Sequence, residues 1–229
     1  MLTGRHISSM LMNGVIMEIQ AVLFDMDGLI FDTEGLYKVS WQLAASEQGL
    51  ELDDDFYRSF IGVQDAECER RVEAKFGDKL DLERFKRVRD TDLHVRKANG
   101  VAYKPGFDLL FEQLKDKGLK CALVTSSALA DVKHHFNGSE YLTQFDTVIT
   151  SEDVVNGKPH PDCYRMASEQ LDITPAACLV LEDSNNGMRA GLDAGCQAVM
   201  IPDLLQPSRE VADRAHAVLG SLADVTRLL

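Results

Sequence analysis

Six short apolar runs, separated by helix-like segments, constrain this fold more than any other feature of the sequence. They are Ala21–Phe24, Leu119–Val124, Thr147–Ile149, Leu179–Leu181, Ala198–Ile201 and, more weakly, Ala217–Leu219. A continuous apolar run bounded by turn signals reads as a strand buried on both faces, which is the habit of parallel sheets. Between the runs, Gly106–Lys117 starts after Pro105 and stops at Gly118, a proline start and glycine stop for a helix. Pro161–Leu171 and Gly187–Ala194 obey the same logic. Strands alternating with helices predict an α/β fold, a doubly wound parallel sheet covered on both faces.

The stretch from about Leu36 to Gly100 breaks that rhythm. It reads as helices with no clear strand: Tyr37–Gln48, Asp53–Ile61, Ala66–Phe76 and Leu82–Ala98. An inserted helical cap is therefore expected over 37–100, with the core domain formed by 17–36 and 101–229. Hinges near Gly35 and Val101–Tyr103 would suit a lid. The cap holds 12 Lys and Arg against 14 Asp and Glu, so most of its basic side chains read as solvated helix faces. Residues 1–16 place Arg5 before an apolar stretch, but they contain no A-x-A cleavage pattern and a core strand begins near Ile19. They read as an N-terminal extension, or as residues upstream of a start at Met17.

Charge and cysteine usage bound the partners. A net charge of −13 over 229 residues argues against nucleic acid and against an anionic membrane surface. No apolar run approaches the ~20 residues a membrane span needs. The five cysteines, Cys68, Cys121, Cys163, Cys178 and Cys196, are odd in number and contain no CxxC pair. They read as free thiols in a reducing compartment, the cytoplasm. His134-His135 lacks a second ligand pair at zinc spacing and reads as a solvated helix face. The expected protein is a monomer.

In open α/β sheets, ligands bind beyond the carboxyl ends of the strands. The residues just past each apolar run are therefore the candidates for chemistry. Asp25 and Asp27 come after the first, with Gly28 to turn the chain. Residues two apart on an extended chain point the same way, so these two acids need a cation or a shared proton. Thr125, Ser126 and Ser127 come after the second run, and Ser151, Glu152 and Asp153 after the third, before Gly157-Lys158-Pro159. Glu182, Asp183 and Ser184 come after the fourth. Each cluster alone has a bland reading as helix caps or turns. Converging on one sheet edge, they suit phosphoryl transfer through a covalent aspartyl phosphate. A carboxylate can attack phosphorus, a hard oxygen site can hold Mg²⁺, and a hydroxyl and a lysine can hold the phosphate. A second acid can protonate the leaving oxygen and then activate water.

DMDG at Asp25, the strand-end Thr125, GKPHPD at Lys158 and EDSNNG at Glu182-Asp183 stand in the order of the haloacid dehalogenase superfamily. Over about 17–225 the chain resembles its Mg²⁺-dependent phosphohydrolase branch, with a Rossmannoid core and an inserted α-helical cap. The resemblance implies Asp25 as nucleophile and metal ligand. It implies Asp27 as general acid/base, binding metal through its backbone carbonyl. Thr125 and the backbone N–H of Ser126 would hold the phosphoryl group, and Lys158 would neutralise charge between it and Asp25. Asp183 would bind Mg²⁺ directly, and Glu182 would assist through water. Ser127 and Tyr37 are expected on the substrate side, Asn186 holding the acidic loop, and His160 in a turn. Asp32 reads as the N-cap of the cap helix.

The cap is similar to that of the β-phosphoglucomutase-like group, with two departures. Tyr37 stands where mutases of that group carry a histidine, and Gly62-Val63 precedes Gln64-Asp65 rather than an arginine. FDMDGLIFDTEGLY, the TSS triplet and VMIPD are similar to the pseudouridine-5′-phosphatase-like group instead. The leading expectation is a phosphatase acting on a small phosphorylated metabolite. A phosphomutase, a metal-free dehalogenase and a non-catalytic metabolite-binding protein are the alternatives.

Overall fold

The computed structural model describes residues 18–98 and 100–229. The expectation for 1–16 lies outside them.

Six strands form one parallel sheet: β1 Ala21–Phe24, β2 Lys120–Val124, β3 Thr147–Ile149, β4 Cys178–Glu182, β5 Gln197–Met200 and β6 Ala217–Val218. Their order is β3-β2-β1-β4-β5-β6. Every predicted strand is present, two with the expected ends and four with ends shifted by a single residue. β1 is central, flanked in parallel by β2 and β4, and Phe24 registers with both Leu123 and Leu181. The chain moves outward from β1 in both directions, and this reversal opens a crevice at the carboxyl ends.

Four helices fill the stretch between β1 and the rest of the sheet: α1 Glu34–Ser46, α2 Asp54–Arg58, α3 Asp65–Phe76 and α4 Leu82–Lys97. They share their own apolar cluster, including Trp41, Tyr57, Phe60, Val72 and Phe85. Alternation along β1 divides the core beneath them. Val22 and Phe24 join one cluster with Phe107, Leu110, Phe111 and Leu114. Ala21 and Leu23 join the other, with Tyr164 and Met188. The first partners all lie on α5 (Phe107–Asp116), whose buried positions recur at helical spacing. α6 (Leu129–His135) comes after β2, α7 (Tyr141–Gln144) precedes β3, and α8 (Asp162–Leu171) precedes β4. α9 (Asn185–Ala194) joins β4 to β5, and α10 (Arg209–Arg214) precedes β6.

The two chain crossings between sheet and insertion lie side by side. Phe31 and Tyr103 form an antiparallel bridge and stack their rings at 4.8 Å. The Asp32 N–H donates to Ala102 O at 3.0 Å, and the Lys104 N–H to Ile30 O at 2.7 Å.

Three local expectations are corrected. Asp32 does not cap α1: Thr33 precedes the helix, and Asp32 accepts from Lys104 at 3.0 Å instead. Its backbone N–H is bonded to Ala102 O, beside the Phe31–Tyr103 pairing and one residue short of the cap position. Gly35 is no linker, because α1 already starts at Glu34. His135 is not on a solvated face: its ring is buried and stacks on Phe31 at 5.1 Å. All five cysteines are buried free thiols. Among the described residues, no helix is long and apolar enough to cross a membrane.

Candidate active site

Register explains why the acids meet. Phe24 pairs with Leu181, and the Asp25 N–H donates to Leu181 O at 3.1 Å. Asp25 therefore emerges beside Glu182 at the carboxyl edge of adjacent strands. Gly28 comes next in the turn with φ +80, and a Cβ there would collide with Asp183 Oδ2. Only glycine lets the turn after β1 pass so close to the second acidic pair.

Lys158 ties the two strands together. Its ammonium donates to Asp25 Oδ1 at 2.5 Å, to Glu182 Oε1 at 2.7 Å and to Val124 O at 3.0 Å. A lysine has three donors, so all are engaged. Burial works against its charge, but Asp25 and Glu182 override that and raise its pKa. Glu182 is completely buried and also accepts from Tyr164 Oη at 2.7 Å and Ser184 Oγ at 3.0 Å. Its oxygens are thus committed to holding Lys158 and the start of α9.

Asp25, Glu182 and Asp183 can each offer an oxygen within 4.8 Å of the others. Asp183 Oδ2 is buried and has no hydrogen-bond partner. Burial, then Asp25 and Glu182, push the Asp183 carboxyl well above the usual carboxylate range. Burial raises Asp25 as well, against the pull of Lys158. One lysine does not balance three buried carboxylates. The cluster has an unmet demand for positive charge, and its hard oxygen donors fit a divalent cation such as Mg²⁺.

The remaining predicted residues surround this centre. Ser127 Oγ donates to Asp27 Oδ2 at 2.7 Å, which orients the acid. Asp27 Oδ1 is buried without a partner, 4.0 Å from His135 Nε2. Thr125 Oγ1 accepts from the Ser127 N–H at 3.0 Å, leaving its own hydrogen to donate elsewhere. Ser126 lines the crevice, with its hydroxyl unpartnered. Tyr37 Oη accepts from Lys97 Nζ at 2.8 Å, and burial, then Asp27, keep its hydroxyl protonated. Asn186 does not hold the acidic loop: its amide donates to Ile61 O at 3.1 Å, in the helical insertion. His160 is exposed and pairs with Asp162 at 2.9 Å. The crevice between insertion and sheet edge encloses about 650 Å³.

Four side chains here escaped the sequence reading: Glu34, Lys97, His135 and Tyr164. Glu34 is buried in the crevice wall and accepts from Tyr57 Oη at 3.2 Å. Burial, then Asp27, push its carboxyl up to about 8. An acid at a helix start is so ordinary that only its closeness to DMDG could have marked it. Tyr164 carried no signal, because a tyrosine on a buried helix face reads as core.

Asp25 and Asp27 follow the central strand, Glu182 and Asp183 stand at the end of its neighbour β4, and the loop after β3 brings Lys158 to both, an arrangement chemically suited to handling a phosphoryl group. Residues 22–201 match the family described as Haloacid dehalogenase-like hydrolase, and the chain belongs to that family. The "Phosphorylated carbohydrates phosphatase" of Thermotoga maritima is 31% identical over 79% of this chain and 83% of its own. The "Probable pseudouridine-5'-phosphatase" of Drosophila melanogaster is 31% identical over 93% and 94% of the two chains. A variant of CbbY from Rhodobacter sphaeroides, solved in complex with xylulose-(1,5)bisphosphate, superposes with a TM-score of 0.74. It is 26% identical and covers 90% of this chain and 96% of its own. Within the family, the chain stands among phosphatases.

Proposed function

We propose that this phosphatase hydrolyses a small phosphorylated metabolite, a sugar phosphate or nucleoside monophosphate-like compound, through a covalent phosphate ester on Asp25. The observation that carries the reading is Lys158, bonded at once to Asp25 and Glu182 beside the unpartnered Asp183. Mg²⁺ would be held by Asp25, Asp183 and the backbone carbonyl of Asp27. When bound, it would offset the repulsion between an anionic nucleophile and an anionic phosphate. Glu182 would act chiefly by holding Lys158, with any metal contact through water.

The chain's own residues divide the work. The Asp25 carboxylate attacks phosphorus, and the bond from phosphorus to the ester oxygen breaks. Asp27 gives its proton to that leaving oxygen. Thr125, the Ser126 N–H and Lys158 hold the phosphoryl oxygens. Water then attacks the phosphorus, Asp27 takes its proton, and inorganic phosphate leaves as Asp25 is regenerated. The Ser127 hydroxyl, bonded to Asp27, would keep that acid aimed through both halves. Tyr37 stands where the related mutases carry a histidine, and burial, then Asp27, keep its hydroxyl protonated while it accepts from Lys97. That supports water, rather than a second sugar hydroxyl, as the final acceptor. Residues 37–100 would act as the cap, over a core of 17–36 and 101–229, in a cytoplasmic monomer.

The test is phosphate release across a panel of sugar and nucleoside phosphates, with Mg²⁺ and with EDTA. Mg²⁺-dependent release is expected, and Asp25→Asn should lower kcat by about 10⁴-fold or more. Release from none of the panel, or Asp25→Asn at near wild-type rate, would defeat the scheme.

A further inference from the structure

We propose that the part of the crevice around Lys97, Tyr37 and Asp131 recognises the hydroxyl groups of a neutral, polyhydroxylated leaving group and rejects a second anionic group. The inference rests on the phosphatase reading and adds the chemical class of the released alcohol.

Lys97 closes α4 and is 5% exposed, yet its ammonium donates to one side chain, Tyr37 Oη. Asp131, on α6 of the core, offers Oδ1 at 3.9 Å from Lys97 Nζ. That is too long for a hydrogen bond. Neither group satisfies the other, which leaves a lysine donor and a carboxylate acceptor side by side, both open to one bridging atom. A ligand hydroxyl placed there accepts from Lys97 and donates to Asp131. Tyr37, protonated and already accepting from Lys97, keeps its own hydrogen for a neighbouring oxygen. Donors and acceptors so interleaved match adjacent hydroxyls on a sugar or polyol.

The charges point the same way. Arg89 is the other cation of the insertion that lines the crevice. It is already held by Glu69 at 2.9 Å and Asp90 at 2.7 Å, over the Trp41 ring at 4.7 Å. Asp65 and Asp131 line the same space. A second phosphate would meet Lys97 and an Arg89 already ion-paired, opposed by Asp65, Asp90 and Asp131, in a chain of net charge −13. Repulsion of the wrong ligand is as effective a source of specificity as attraction of the right one.

The experiment measures kcat/KM of the full chain with Mg²⁺ on a hexitol monophosphate, on p-nitrophenyl phosphate and on a hexose bisphosphate. The hexitol monophosphate should exceed both others by about tenfold or more, since sites built on hydrogen bonds to hydroxyls reject compounds lacking them. Lys97→Met and Asp131→Asn should each cut the ratio of hexitol monophosphate to p-nitrophenyl phosphate by about tenfold. Asp131 is half-exposed, so its variant reads out even if Lys97→Met fails to fold. Equal turnover of the bisphosphate, or an unchanged ratio in Asp131→Asn, would overturn the inference while leaving the phosphatase reading intact. No phosphate from any of the three would overturn both.

Discussion

Tyr164 and Glu182 meet across 2.7 Å inside the core, and the tyrosine hydroxyl donates to the same Oε1 that accepts from Lys158. The lysine is therefore aimed by a carboxylate that is itself aimed by a tyrosine. Tyr164→Phe keeps the ring and removes that donor. One lost hydrogen bond corresponds to about threefold to tenfold in rate, expected in kcat with KM nearly unchanged. Steady-state kinetics on one substrate would check it, and a pure KM effect would contradict it.

Gly187 faces Glu182 from the first turn of α9, and a Cβ there would overlap the carboxylate. Glu182 is fully buried and cannot retreat without releasing Lys158, Tyr164 or Ser184. Gly187→Ala should cost about 3 kcal/mol or more of stability, the scale of overpacking combined with a broken buried network. Urea unfolding measures that loss. Phosphate release should fall to background even where the variant remains folded.

His135 should make the fold sensitive to mild acid. Burial lowers its pKa from 6.5 to about 4 in the folded chain. Above 6.5 neither folded nor unfolded chain protonates it. Between 6.5 and about 4, the unfolded chain takes a proton that the folded chain refuses, so stability is lost as pH falls. From pH 7 to pH 5 this one group should account for about 2 kcal/mol. His135→Gln should lose less stability than wild type over that interval in denaturant titrations, and parallel losses would refute the assignment.

Mg²⁺ should act on stability as well as on turnover. The raised Asp183 carboxyl reflects burial first, then the nearby Asp25 and Glu182 charges that a divalent cation would offset. Adding Mg²⁺ should raise Tm with the logarithm of its concentration above Kd, corresponding to about 2.7 kcal/mol of stabilisation at a hundredfold excess. The rise should weaken as pH falls, because the cation competes with protons for the same oxygens. Asp183→Asn should lose most of the Mg²⁺-dependent rise, as read by thermal melts with and without EDTA.

Sheet and strand ends were legible in the sequence because buried parallel strands write themselves as continuous apolar runs. Asp25, Lys158 and Glu182 could be picked out by their places downstream of those runs, and strand register then brought them together. The partners of those residues were not legible. Tyr164 and His135 sit on helix faces, where a buried polar ring looks like core in one case and surface in the other. Asp32 was misread for a similar reason. The pairing of Phe31 with Tyr103 joins residues far apart in sequence, so the tie it places on Asp32 had no local signature.

The same Phe31–Tyr103 pairing bears on how the chain reaches its native state. It delivers the two ends of the helical insertion to one point, so to the sheet the insertion is a loop already closed. The central ladder, in which Ala21 pairs with Lys120, spans the whole insertion in sequence. Closing a long flexible loop before any contact rewards it is what slows non-local pairing. Helices that first collapse on their own apolar cluster turn that loop into a short one. The insertion can then be lengthened, shortened or replaced with little entropic consequence for the sheet, provided both ends still arrive at Phe31 and Tyr103.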